Sequence, residues 1–214
     1  MLWENNKTLA LAMRNQGLAD CLAARFALRP VDLRLFGQSV TFAHLVVSKS
    51  QQSVEKLTKG YLLWHSQSFD PTKGHAPFTE LIEDQPQNHQ RALMRLIQAL
   101  NLVSRSIVRE LKWLESLAPK PPTVAEDQRG NLQSLEIIQE NTEYPYWSAP
   151  NGALITPAQG IMLWNQGVRA FKAVRTYLTA LSKSDPPDYC NQIGEFLESH
   201  PMSTEITEWP SRTP

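Results

Sequence analysis

Apolar side chains recur every three or four residues along most of this chain, and that spacing predicts α-helices. The strongest pattern predicts one helix over residues 32–65, in which only Ser50 interrupts the apolar positions. At about 1.5 Å per residue, such a helix would be on the order of 50 Å long. Its apolar face must be buried against other helices or a second subunit. The apolar positions are Leu33, Phe36, Val40, Ala43, Val47, Val54, Leu57, Tyr61 and Trp64.

Two more long helices follow from the same spacing. A first helix is predicted over residues 6–26, although Gly17 weakens its middle by about 1 kcal/mol relative to alanine. A third helix is predicted over residues 88–117, where a proline-rich segment ends it. The inward positions are Leu9, Met13, Leu18, Leu22 and Phe26 in the first helix, and Leu93, Leu96, Leu100, Val103, Ile107, Leu111 and Leu114 in the third.

The last third of the chain carries shorter helical patterns. A short helix is predicted over residues 132–141, and a loop then extends as far as Gly152. Thr156 is the expected N-cap of a longer helix, with Pro157 in its first position. A final short helix is predicted over residues 189–198, before a polar tail. The inner face of the longer helix consists of Ile161, Trp164, Val168, Phe171, Val174, Leu178 and Leu181.

Together these segments predict an all-α fold, an antiparallel up-and-down helical bundle of four to five main helices with short N- and C-terminal additions. The expected divisions are an N-terminal helical extension over residues 1–30, the bundle over residues 31–184, and a short helix with a loose tail over residues 185–214. Glycine is scarce and short alternating apolar runs are absent, which favours helix over strand.

Composition narrows the functional classes. The 21 basic and 21 acidic residues give a net charge of zero, which argues against a nucleic-acid coat protein and against an acidic disordered tail. Cys21 and Cys190 show no metal or disulfide spacing, and His65, Asp70 and His75 match no standard zinc pattern. We therefore expect no cofactor and no metal. No signal peptide or membrane span is evident, so a cytoplasmic location is expected.

Three short motifs resemble those of HEPN domains. The segment Q-S-V-E-K-L-T-K-G-Y-L-L at residues 52–63 is followed by G-H-A-P-F-T-E-L at residues 74–81. This order is similar to the family pattern A-E-K-x-L-K-A-x-L followed by G-H-x-L-x-x-L. Later, E-Y-P at residues 143–145 resembles the R-Y-P element that precedes the last helix of many HEPN proteins. The resemblance covers about residues 32–182.

The resemblance implies a four- or five-helix bundle that commonly dimerises. Known members include ribonuclease toxins, partners of small nucleotidyltransferases and non-catalytic modules. Catalytic members carry an Arg-x4-6-His motif, and no arginine of this chain has a histidine at that spacing. The nearest imitation is Lys59 with His65, but lysine lacks the bidentate fork of arginine. Glu143 replaces the arginine of R-Y-P and would repel phosphate. These departures favour binding over cleavage.

Several residues are candidates for contact with a nucleotide or RNA. Two of them, His75 and Lys56, are also the catalytic candidates if the protein cleaves RNA. His75 would carry a proton or contact phosphate, or else cap a helix end as a structural residue. The cations of the third helix would bind phosphate, or else form an ordinary solvated face. The binding candidates are Lys56, Lys59, His75, Arg105, Arg109, Lys112 and Tyr144.

A second basic set on the last long helix bears on these alternatives. Arg169, Lys172 and Arg175 would create a local basic cleft if they faced the same groove as the cations of the third helix. The leading hypothesis is a non-catalytic HEPN-like interaction module, associated with a nucleotide or RNA, in a toxin–antitoxin or defence context. Its expected partners are a second copy of the chain and a nucleotide, an RNA or a nucleotidyltransferase protein. The alternatives are a metal-independent endoribonuclease with an altered site and a nucleotide-binding regulator.

Overall fold

Among the residues that the structure describes, six α-helices form the packed core of the computed structural model, which confirms the all-α prediction. The helices are α1 (Asn6–Ala27), α2 (Ala43–Trp64), α3 (Gln87–Val103), α4 (Ile107–Ser116), α5 (Trp164–Leu181) and α6 (Pro187–Ser199). The structure describes residues 6–28, 33–35, 38–40, 42–65, 87–117, 124–126, 132–135, 146–148, 153–155 and 164–200.

Three short antiparallel strand pairs accompany the helices. Each pairs consecutive strands, and none of the described strands joins a larger sheet. The pairs are β1 (Leu33–Leu35) with β2 (Gln38–Val40), β3 (Val124–Glu126) with β4 (Leu132–Leu135), and β5 (Tyr146–Ser148) with β6 (Ala153–Ile155).

The beginning of the predicted 32–65 helix is wrong. Strands β1 and β2 occupy this stretch, with Leu33 opposite Val40 and Leu35 opposite Gln38, and α2 begins only at Ala43. The expectation that short alternating runs are absent is wrong here, because Leu33 and Leu35 alternate with Arg34 before Gly37, a pattern that also suits a hairpin.

Two other predicted helices also differ from the structure. The predicted 132–141 helix is wrong over residues 132–135, which form β4, and its remainder lies outside the described residues. The predicted 88–117 helix is two helices, because a turn at residues 104–106 separates α3 from α4. Both ends of this turn are serines, whose side chains compete with helical backbone hydrogen bonds.

The predicted cap at Thr156 and Pro157 lies outside the described residues, and α5 begins at Trp164.

The buried seams of the main helices confirm the predicted spacing. The α2 seam is buried from Ala43 to Tyr61, and α5 buries Phe171 and Val174 on its inner face. The third-helix seam continues across the turn between α3 and α4. Its buried members are Leu96, Leu100, Ile107, Leu111 and Leu114. One apolar stripe therefore organises two separate helices.

Helix α1 packs along α2 and is part of the core, although the sequence placed it in an N-terminal extension. The two helices approach closely at Gly17, where an added Cβ would lie 2.8 Å from Leu57 Cγ. The glycine that weakens an isolated helix thus allows two helices to approach closely. The predicted inward position of Phe26 is wrong, since this side chain is exposed and Cys21 and Ala24 are buried instead.

Arg14 connects α1 to α6. The residue is 2% exposed, and its guanidinium donates to the Tyr189 carbonyl oxygen at 3.0 Å and to the Gln192 side chain. Helix α6 also packs on α5, so it closes one side of the bundle. Within the described ranges, no helix has both the length and the apolar character needed to cross a membrane.

Candidate functional site

An exposed row of cations extends from the turn after α3 along α4. Arg105 lies in that turn, and Arg109 and Lys112 follow on α4 at intervals of four and three residues. Arg109 and Lys112 share one face of α4 because a helix has about 3.6 residues per turn, and Arg105 lies in the turn two residues before the helix begins. We call Arg105, Arg109 and Lys112 the α4 basic face. The buried residues Ile107, Leu111 and Leu114 anchor the opposite side of α4 and hold this face toward solvent.

Arg169 of α5 is held against α4 in a defined geometry. Its Nε donates to Glu110 Oε2 at 2.6 Å, and its Nη2 donates to Glu110 Oε1 at 3.2 Å. The guanidinium carbon also lies 3.8 Å from the centre of the Trp113 ring. A bidentate pair and a ring contact together fix the plane of the guanidinium. The hydrogen bond from Arg169 lowers the pKa of Glu110, so the carboxylate stays charged near neutral pH.

This contact brings the two predicted basic sets together at one point. Arg169 reaches Glu110, whose carboxylate also lies 3.9 Å from Nε of Arg109. Lys172 and Arg175 are exposed further along α5. The sequence suggested such a juxtaposition but could not establish it, because it depends on how α5 packs against α4. Trp113 received no functional role from the sequence.

A shallow open groove adjoins the α4 basic face. It is lined by Gln98, Asn101, Leu102 and Arg105 and has a volume of about 640 Å³. Leu102 is 88% exposed and supplies an apolar surface to the groove. The amide groups can donate and accept hydrogen bonds, and Arg105 adds a positive charge. The groove can therefore hold a polar anionic ligand with one apolar contact.

The structure places Lys56 and Lys59 in ion pairs. Lys56 Nζ lies 2.5 Å from Asp20 Oδ2, and Asp20 is also 3.2 Å from Lys49 Nζ. The Asp20 side chain is only 4% exposed, so these lysines neutralise a buried charge between α1 and α2. Lys59 is buried and pairs with Glu55 one turn earlier. The structure does not bring these two lysines together with the α4 basic face through any described contact.

The other predicted candidates lie outside the described residues. His75 and Tyr144 both fall in such segments. No group of three metal-binding side chains occurs among the residues that the structure describes. The roles predicted for His75 and Tyr144 therefore remain predictions.

A buried polar cluster near the end of α2 was not predicted. The rings of Tyr61 and His65 lie 4.7 Å apart between centroids, and Tyr61 also contacts the Tyr189 ring at 6.0 Å. Tyr61 Oη and His65 Nε2 are both buried without a hydrogen-bond partner among the described residues. Such groups are rare in native interiors, since an unpaired buried polar atom is costly. The contact between Tyr61 and His65 could have been predicted from the sequence, because residues four positions apart lie on the same face of a helix.

Burial shifts the pKa values of Tyr61, His65 and the two cysteines so that their neutral forms are favoured. Burial raises the pKa of Tyr61 to about 12, so the phenol keeps its proton. Burial also lowers the pKa of His65 below its ordinary 6.5, and nearby Arg95 lowers it further. Burial raises the pKa of both Cys21 and Cys190 to about 12, which leaves neutral thiols. None of these groups is an activated nucleophile near neutral pH.

Comparisons of the chain with protein-family models, with curated proteins and with solved structures each found no match. The HEPN resemblance therefore rests on the three sequence motifs alone.

Proposed function

We propose that this protein is a non-catalytic HEPN-like helical module that binds the phosphate groups of RNA or a nucleotide through the α4 basic face. The contact of Arg169 with Glu110 and Trp113 is the observation that carries this proposal. It adds a second helix to the cationic surface and occupies the one carboxylate of α4 that adjoins Arg109. Several cations on one surface are what phosphate binding requires.

The zero net charge is compatible with this role. Long-range attraction is screened over roughly 8–10 Å at physiological salt, so local charge decides a phosphate contact. The acidic groups Asp20 and Glu55 are paired with lysines between and along the helices of the core. The α4 basic face presents three exposed cations, Arg105, Arg109 and Lys112, for such a local contact.

Binding is favoured over cleavage by the state of the candidate reactive groups. Lys56, one of the two catalytic candidates, is paired with the buried carboxylate of Asp20. The endoribonuclease alternative depends on His75. Incubation of the pure protein with mixed RNA distinguishes the two: cleavage that His75→Ala abolishes would replace the binding proposal with a ribonuclease.

The binding test uses a fluorescent single-stranded RNA and the combined variant Arg105→Gln, Arg109→Gln, Lys112→Gln. We expect the variant to lose most of its affinity, because each removed cation is a removed phosphate contact. The matched control is Lys183→Gln, which removes one exposed cation from the turn after α5. If the wild type shows no measurable affinity, or if the control loses as much affinity as the combined variant, the proposal is wrong.

The groove beside Arg105 favours a second candidate, a nucleotide-binding regulator. Its volume of about 640 Å³ is within the range of small-molecule sites. A nucleotide that binds only the native state must raise the unfolding temperature. No thermal shift with a panel of nucleotides, together with retained RNA binding, would reject this candidate.

The homodimer and the nucleotidyltransferase partner are proposed from the HEPN resemblance. Light scattering at high protein concentration tests the dimer, and a strictly monomeric mass would contradict it. Co-purification with a nucleotidyltransferase encoded beside this chain tests the second partner and the proposed toxin–antitoxin setting.

A further inference from the structure

We propose that Arg169 is a stacking platform for an unpaired nucleobase, so that the ligand of this surface is single-stranded RNA or a free nucleotide. The inference rests on the proposed function and specifies the class of ligand. Its basis is the Arg169 guanidinium, which contacts α4 from α5.

The guanidinium of Arg169 is fixed before any ligand arrives. Glu110 accepts two hydrogen bonds along one edge, at 2.6 and 3.2 Å, and the Trp113 indole lies 3.8 Å from the guanidinium carbon. An exposed arginine normally samples many rotamers, and ordering it on binding is unfavourable. The two contacts on α4 have already restricted those rotamers.

These two contacts do not cover the Arg169 side chain. It is 46% exposed although its guanidinium carbon lies 3.8 Å from the centre of the Trp113 ring and one edge is bonded to the Glu110 carboxylate. Nearly half of the side chain is therefore open to solvent and to a ligand. A flat cation with one face on an aromatic ring can accept a second aromatic ring on its other face. Unpaired bases stack on arginine planes in this way.

Cations near Arg169 supply contacts for the phosphate groups of a nucleotide. Glu110 joins Arg169 to Arg109, whose side chain is 80% exposed. Lys112 lies about one turn after Arg109 on α4, and Arg105 lies in the turn before the helix. A strand with a base on Arg169 can thus place its phosphates along these cations. A duplex cannot do so, because its bases are stacked within the helix.

The test compares Arg169→Lys with the wild type on three probes: a short oligouridylate, an abasic strand of the same length, and inorganic polyphosphate. Lysine keeps the charge but has no plane on which a base can stack. We expect the variant to bind oligouridylate roughly 5- to 100-fold more weakly, as expected for the loss of one stacked base. Its affinity for the abasic strand and for polyphosphate should change less than about twofold.

Polyphosphate binding also reports on the fold, because an intact basic surface is needed for it. Equal loss on all three probes would show that Arg169 acts through charge or through the α4–α5 contact, and would overturn the stacking role. Unchanged binding of all three probes would overturn it as well, yet leave the proposed phosphate binding intact. Failure of the wild type to bind any probe would reject the proposed function itself.

Trp113→Phe, which keeps an aromatic support for Arg169, should retain most of the preference for oligouridylate over the abasic strand.

Discussion

The hydroxyl of Tyr189 in α6 lies directly against Gly60 of α2. A Cβ atom added to Gly60 would be 2.5 Å from that hydroxyl oxygen and 2.8 Å from the carbonyl oxygen of Ala10. The same hydroxyl donates a 2.9 Å hydrogen bond to the Leu57 carbonyl. Three helices, α1, α2 and α6, therefore meet around one glycine without space for a side chain.

We expect Gly60→Ala to lower the free energy of unfolding by about 1–3 kcal/mol, because backbone and a hydrogen-bonded hydroxyl must both move. The matched control is Gly194→Ala in α6, where the added Cβ would meet only Ser182 Cβ at 3.9 Å. The control should be neutral or stabilise by up to about 1 kcal/mol, through higher helix propensity. Urea unfolding of both variants measures the difference. Equal stability of the two would contradict the close approach.

Arg14 should hold α6 on the bundle. Arg14→Met removes the donors to the Tyr189 carbonyl and to Gln192, and we expect a loss of about 2–3 kcal/mol. Arg14→Lys keeps the charge but not the planar fork, so it should restore less than half of that loss. Hydrogen exchange locates the effect. Faster exchange confined to α6 and the adjacent turn of α1 supports the connection, whereas unchanged protection of α6 would argue against it.

Asp20 should stabilise the α1–α2 pair through its two lysines. Asp20→Asn removes the buried carboxylate charge that pairs with Lys49 and Lys56, and we expect the free energy of unfolding to fall by about 1–3 kcal/mol. Lys56→Gln should cost about 1 kcal/mol or less, since this lysine is 27% exposed and Lys49 still neutralises Asp20. Thermal unfolding measures stability and RNA anisotropy measures binding. If Lys56→Gln abolished RNA binding while stability was unchanged, the structural role of Lys56 would be wrong.

His65 should make stability depend on pH. Burial lowers its pKa in the folded protein, so the unfolded chain takes up the proton first as the pH falls. The free energy of unfolding should therefore decrease below pH 6.5, the ordinary pKa of histidine. His65→Gln removes this titration and should flatten the curve just below that pH. Chemical unfolding of both proteins across this pH range measures the free energy of unfolding. The contribution of the carboxylates to its pH dependence is the same in both proteins, so the difference between the two curves reports on His65. Parallel curves would contradict the burial of a neutral His65.

The sequence predicted most of the core because burial imposes a helical period on long segments. Leu96, Leu100 and Leu111 follow that period and are buried as expected. The period fails where side chains are small or the segment is short. The inner face of α1 contains Ala10, Gly17 and Cys21, whose small side chains do not stand out as an apolar repeat in the sequence. Phe26 is large and apolar but exposed, so its position in the repeat was predicted wrongly.

The candidate site was predictable only within single helices. The shared exposure of Arg109 and Lys112 follows from their spacing along α4. The contact of Arg169 with Glu110 and Trp113 joins residues more than fifty positions apart, so no local pattern contains it. The burial of Arg14 is invisible for the same reason, because its partners on α6, the Tyr189 carbonyl and the Gln192 side chain, are distant in sequence.

The salt dependence of RNA binding tests the central claim most directly. Phosphate contacts release counterions, and each contact to a single strand contributes about 0.7 to the slope of log affinity against log salt concentration. We expect Arg105→Gln, Arg109→Gln and Lys112→Gln together to reduce that slope by about 2. Lys183→Gln should leave it unchanged. The same slope and affinity in the combined variant and the wild type would contradict phosphate binding by the α4 basic face.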